Sequence, residues 1–119
     1  MGKAEEILNY RTVADNGVIT LKIYRIEADD NRPCGYHYSL AYIPFWIEDQ
    51  KLKQDYLRYD NAHDGPHKHK RGLRLPYVFK DPKTLLIDFF SELLEMLRED
   101  NQPFEEILGL LEALKEVGL

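Results

Sequence analysis

The sequence predicts an α+β domain: an antiparallel β-sheet of about four strands covered by two C-terminal α-helices. Three observations carry this. Ile19, Leu21 and Ile23 alternate with Thr20, Lys22 and Tyr24, the period of a half-buried strand. Asn16-Gly17 marks a tight turn just before that segment. From Pro82 onward the apolar residues change to helical spacing. At 119 residues, 44% hydrophobic and 31% charged, the chain fits one domain, 1–119, with a real core.

Each element follows in order. Residues 6–14 pair with 18–28 through Asp15-Asn16-Gly17, because Asn-Gly tolerates the positive φ angles of a type I′ turn. Residues 29–35 form a turn cluster. A third strand covers about 36–47, with Pro44 imposing a bend or an unpaired position. A fourth covers about 52–60, after the polar Glu48-Asp49-Gln50, so strands occupy about 6–60. Residues 61–80 read as a His-rich loop, longer than most ordered connections, which marks it as functional or mobile. Asp81 suits a helix N-cap and Pro82 the first helical position, where no amide donor is needed. Leu85, Leu86, Phe89, Phe90, Leu93, Leu94 and Leu97 form one stripe of that helix. Asn101-Gln102-Pro103 ends it and starts a second. The second has Ile107, Leu108, Leu110, Leu111 and Leu114 on its apolar face and Gly118 as its stop. The helices thus span about 82–117, their leucines serving as core or dimer contacts.

The net charge of −5 hides a division. Residues 51–80 hold eight basic and three acidic side chains, whereas residues 81–119 hold three basic and ten acidic ones. Such a chain can present a basic face to a polyanion while staying acidic elsewhere. No apolar run approaches the roughly 20 residues of a membrane helix. Met1–Glu6 reads as no secretory signal, and the single cysteine, Cys34, forms no internal disulfide; both fit a reducing cytoplasm.

The chemistry concentrates in residues 58–71, where His63, His67 and His69 stand among Arg58, Lys68, Lys70 and Arg71. Metal-independent RNA cleavage needs a base for the 2′-hydroxyl, an acid for the leaving oxygen and cations for the phosphate. His67 and His69 are the candidates for proton transfer, and Arg58, Tyr59, Lys68, Lys70 and Arg71 for RNA or phosphate contacts. Asp60 orients a histidine or, with Asn61, forms an Asx turn that ends the strand. Strand alternation puts Arg58 and Asp60 on one face and Tyr59 on the other. The alternative is a zinc-like metal site of His63, His67 and His69 with Asp60 or Asp64, although H-x3-H-x-H matches no standard zinc module. A third reading is nucleic-acid or partner binding without catalysis. His37 reads as a surface or half-buried residue, and Tyr36, Tyr38 and Tyr42 as sheet packing, with base stacking as the alternative.

The string Arg58-Tyr59-Asp60-Asn61-Ala62-His63, followed by Pro66-His67-Lys68-His69, resembles the signature of the TumE-like proteins. These are the toxin halves of bacterial and archaeal toxin–antitoxin pairs. The resemblance covers roughly residues 18–100 in layout and 58–71 in motif. The matching positions are Arg58, Tyr59, Asp60, Asn61, His67, Lys68 and His69; only His63 precedes Asp64-Gly65-Pro66, a shorter loop than the family pattern. The resemblance implies a cytoplasmic toxin that inhibits translation by acting on RNA. It further implies an antitoxin partner with a DNA-binding helix-turn-helix. The acidic helices offer a surface for that partner or for a second copy in a homodimer.

Overall fold

The computed structural model describes residues 4–30, 32–62 and 65–117. His63 and Asp64 of the alternative metal set, and the expected helix stop Gly118, lie outside the described residues. Six strands are described: β1 (Glu5–Val13), β2 (Gly17–Arg25), β3 (Tyr36–Pro44), β4 (Leu57–Asp60), β5 (His67–Lys70) and β6 (Leu73–Pro76). They pair in chain order as one antiparallel meander. A short helix, α1 (Gln50–Gln54), joins β3 to β4, and α2 (Pro82–Glu99) and α3 (Glu105–Glu116) follow the sheet. The class is the α+β expected, with six strands in place of about four.

The two differences have local causes. Residues 50–54 include no β-branched side chain, and the Asp49 carboxylate accepts from the Leu52 amide at 2.9 Å, capping a helical turn there. The fourth strand therefore starts only at Leu57. The expected loop over 61–80 instead contains the β5–β6 hairpin, turned by Arg71 (φ 51) and Gly72 (φ 84). Both central residues are left-handed, as a type I′ turn requires. His-Lys-His-Lys has no apolar alternation, so periodicity alone gave no sign of a strand.

In the β1–β2 turn, Asp15 (φ 49) and Asn16 (φ 64) hold the two left-handed positions, one residue earlier than an Asn-Gly turn would place them. Gly17 is already strand, and its lack of a side chain serves space: a Cβ there would run into the Tyr42 ring. The Tyr42 hydroxyl donates to the Asp15 carbonyl at 2.5 Å. The Asp15 carboxylate accepts from the Ile107 amide at 2.8 Å, and the Asp15 amide donates to the Glu106 carboxylate at 3.3 Å. Phe104 at the N-cap of α3 makes no side-chain cap, so this reciprocal pair from a distant turn caps α3 instead.

The core lies between one sheet face and the helices. Ile19, Leu21, Ile23, Tyr38, Leu40, Tyr42, Leu57 and Tyr59 meet Leu85, Leu86, Phe89, Phe90, Leu93, Leu97, Ile107 and Leu111, all buried. The leucine stripes are thus core; among large apolar side chains the exposed ones include Tyr10, Val13, Phe45, Leu52, Leu73 and Val78. Glu92 of α2 accepts from the Tyr59 hydroxyl at 2.5 Å and from Lys68 and Lys70 at 3.1 and 3.2 Å. Burial by itself would raise the Glu92 carboxyl, but hydrogen bonds from Tyr59, Lys68 and Lys70 outweigh it and hold it below its ordinary value.

Two outcomes test these constraints. Gly17→Ala forces the Tyr42 ring aside and is expected to lower stability by about 2 kcal/mol, read as a drop in the denaturant midpoint. Glu92→Gln leaves two ammonium groups under α2 without a counter-charge, a loss of about 1–3 kcal/mol at pH 7. Because the folded Glu92 carboxyl lies below the unfolded value of 4.5, its stabilisation is present above that pH and lost as pH falls through the folded value. Acid unfolding of Glu92→Gln should accordingly be shallower than that of the wild type in this range.

Candidate functional site

Alternation along β4 and β5 sorts the His-rich motif onto two faces. Tyr59 points to the core at 2% exposure, and Arg58 and Asp60 point to the opposite, helix-free face. The register pairs Arg58 with His69, Asp60 with His67, Tyr59 with Lys68 and Leu57 with Lys70. His67 and His69 therefore join Arg58 and Asp60 on the open face, and Lys68 and Lys70 join Tyr59 beneath α2.

His67 is the buried centre of the cluster. Its Nε2 lies 3.3 Å from Asp60 Oδ1, its Nδ1 lies 2.9 Å from the Gly65 carbonyl, and its ring stands edge-on to His69 at 5.0 Å. The carbonyl accepts only a proton on Nδ1, which orients the ring with Nε2 towards Asp60. Asp60 Oδ1 also accepts from the Ala62 amide at 3.1 Å, so an Asx turn and a histidine contact share one carboxylate. Asn61 is buried and acts as a pin: it accepts from the Tyr38 amide at 3.1 Å and donates to the Tyr36 carbonyl at 2.7 Å. The end of β4 is thereby held against β3 where the cluster begins.

Burial lowers the His69 pKa from its ordinary value, and His67 and Arg58 act in the same direction, outweighing Asp55 and Asp60. His69 is therefore a neutral base at pH 7. Arg58, across the ladder from it, donates to the Gln54 carbonyl and side chain at 3.0 and 3.2 Å. Its Nε is buried without a partner among the described residues.

The other expected phosphate contacts lie elsewhere. Lys68 and Lys70 are held by Glu92, and Arg71, in the β5–β6 turn, pairs with Asp100 at 2.9 Å and Glu99 at 4.0 Å. The cations that share the open face with the histidines are Arg11, Lys22, Arg58 and Arg74. Two transverse rows organise them: Lys22, Ser39, Asp60 and His67 in one, and Arg11, Thr20, Ala41, Arg58, His69 and Arg74 in the next. Lys22 and His37 carried a sequence signal, since each falls on the polar phase of an alternating strand, but nothing in the sequence aligned that phase with the motif.

Asp60, His67 and His69 also bring three metal-type ligand atoms within 4.8 Å of one another. An ion about 2.1 Å from each ligand spans at most about 4.2 Å between two of them, so the widest pair must close slightly to hold one. The Nδ1 contact of His67 with a backbone carbonyl is the outer hydrogen bond that metal-bound histidines use.

The electrostatics predict an NMR titration. The His69 ring midpoint should lie below the ordinary 6.5, move up in Arg58→Gln and move further down in Asp60→Asn. A midpoint insensitive to both changes would contradict the geometry of the cluster.

A family model described as toxin TumE matches residues 3–97, which include all six strands and most of α2. No curated protein and no solved structure matches the chain. No helix among the described residues is long and apolar enough to cross a membrane. With the match running through most of its length, the protein belongs to the toxin TumE family: it is the toxin of a toxin–antitoxin system, and an antitoxin is its partner.

Proposed function

We propose that this toxin acts on RNA through the helix-free sheet face, as a metal-independent endoribonuclease with His67 and His69 as its proton-transfer residues. The observation that carries this reading is the cluster itself. A neutral His69, His67 against the Asp60 carboxylate and Arg58 across the ladder stand together on a face with no helix over it.

In this reading His69 takes the proton of the 2′-hydroxyl, whose oxygen attacks the phosphorus. His67, its Nδ1–H held by the Gly65 carbonyl, gives its Nε2 proton, the one facing Asp60, to the departing 5′-oxygen. Arg58, across the ladder from His69, stabilises the charge on the phosphate with its guanidinium. The products are a 2′,3′-cyclic phosphate and a 5′-hydroxyl. Asn61 holds the strand end in place, and Lys68, Lys70, Arg71 and Tyr59 serve the scaffold rather than the substrate. Such an activity fits a cytoplasmic inhibitor of translation, restrained by an antitoxin that carries a helix-turn-helix.

The ligand set of Asp60, His67 and His69 supports a second reading, in which an ion activates the attacking oxygen.

Purified protein incubated with defined RNA, with ribosomes, and with or without EDTA tests both. Cuts that persist in EDTA and end in cyclic phosphates are expected. His67→Ala and His69→Ala should each lower kcat by about 10²–10⁴-fold while RNA binding is largely kept. Cuts abolished by EDTA and restored by zinc would favour the metal reading. Binding without cuts would leave a non-catalytic RNA-binding module, its affinity falling steeply with salt. Full activity in both histidine variants would remove the site.

A further inference from the structure

The reacting cluster occupies one side of the open face, on β4 and β5. The rest of that face continues across β3 and β2, where Lys22, Tyr24, His37, Tyr38 and Ser39 line a shallow recess of about 50 Å³. Tyr24 and His37 are direct cross-strand partners, so their half-buried side chains share this face as neighbours. Lys22 is exposed and makes no ion pair among the described residues. It begins the row that runs through Ser39 to Asp60 and His67. With strands about 4.8 Å apart, Lys22 is about 10 Å from Asp60 and about 14 Å from His67 measured along that row.

The Arg32 charge acts on His37 from outside that lining. Burial lowers the His37 pKa, with the nearby Arg32 charge acting in the same direction and Asp60 opposing it, so His37 feels both the recess and the cluster. The Arg32 Nε is buried without a partner among the described residues. An exposed cation and a cross-strand Tyr–His pair in line with the candidate cluster have the makings of a nucleotide subsite: charge for the backbone and ring faces for a base.

Building on the RNA reading above, we infer that Lys22, Tyr24 and His37 form a subsite for the nucleotide next to the scissile linkage. Its base stacks on Tyr24 and His37, and its phosphate is held by Lys22. The RNA strand then runs across the β-strands, from β5 over β4 and β3 to β2. Of the three tyrosines read as a stacking alternative, Tyr36, Tyr38 and Tyr42, the last two are buried on the core side and stack no base, although Tyr38 also lines the recess.

The test uses a short single-stranded RNA, 2′-O-methylated throughout so that it cannot be cut, together with its cleavable counterpart. Affinity for the first is measured by fluorescence anisotropy over a range of salt, and kcat and KM are measured on the second. Lys22→Gln should weaken binding and raise KM about five- to tenfold, with a salt slope shallower by about one. Tyr24→Leu should weaken binding about tenfold without changing that slope, and Tyr24→Phe should bind as the wild type does. In none of these variants should kcat change by more than about twofold. If Lys22→Gln and Tyr24→Leu bind like the wild type while the wild type cuts RNA and His67→Ala does not, the subsite is wrong and the RNA reading stands. If the wild type neither binds nor cuts RNA, the reading itself fails and takes the subsite with it.

Discussion

Glu92 reaches from α2 to the sheet and accepts hydrogen bonds from Tyr59 on β4 and from Lys68 and Lys70 on β5. Two ammonium groups beneath a helix are costly unless a counter-charge meets them with good hydrogen-bond geometry. Here one carboxylate meets both, and a buried tyrosine hydroxyl fills its remaining capacity. The consequence lies on the other side of the sheet. Side chains alternate along a strand, so holding Lys68 and Lys70 inward obliges His67 and His69 to face outward. A slip of β5 by one residue would turn the histidines towards α2 and the lysines to the opposite face, dismantling the contact with Asp60. The salt bridge thus sets the register of the strand on which the candidate chemistry depends.

The same sorting gives a chain of net charge −5 one face rich in cations. Acidic residues dominate α2 and α3, and several of them meet sheet cations: Glu92 with Lys68 and Lys70, and Asp100 with Arg71. Those contacts leave the helix side acidic. On the open face Arg11, Lys22, Arg58 and Arg74 face outward beside three histidines, with Asp60 engaged by His67 and Glu6 by Asn9. Opposite faces of one sheet therefore carry opposite charge.

The candidate site lies where this sheet is tightly constrained. Asp60 accepts from a backbone amide and faces a histidine with the same oxygen, and Asn61 sews its strand end to β3 through two backbone contacts. His67 is fixed at one nitrogen by a backbone carbonyl. Side chains held this way would lose little freedom on binding a substrate, the preorganisation the proposed activity calls for. Their rigidity comes from the hydrogen bonds of their neighbours, since no helix covers them.

Much was legible in the sequence. The alternation of residues 18–24, the Asp81-Pro82 helix start and the leucine stripes follow from local periodicity and capping, and they specified an α+β domain with its core on the helices. The motif from Arg58 to His69 carried the family and the opposed directions of Arg58 and Tyr59. Local pattern could not reveal β5, because a strand of His-Lys-His-Lys becomes amphipathic only once Glu92 gives its lysines a buried partner. Nor could it reveal that Lys22 and His37 lie in line with Asp60 and His67, because a cross-strand register joins residues far apart in the chain. The sequence alone determined which side chains are available; the pairing of six strands and one helix carboxylate decided which of them meet.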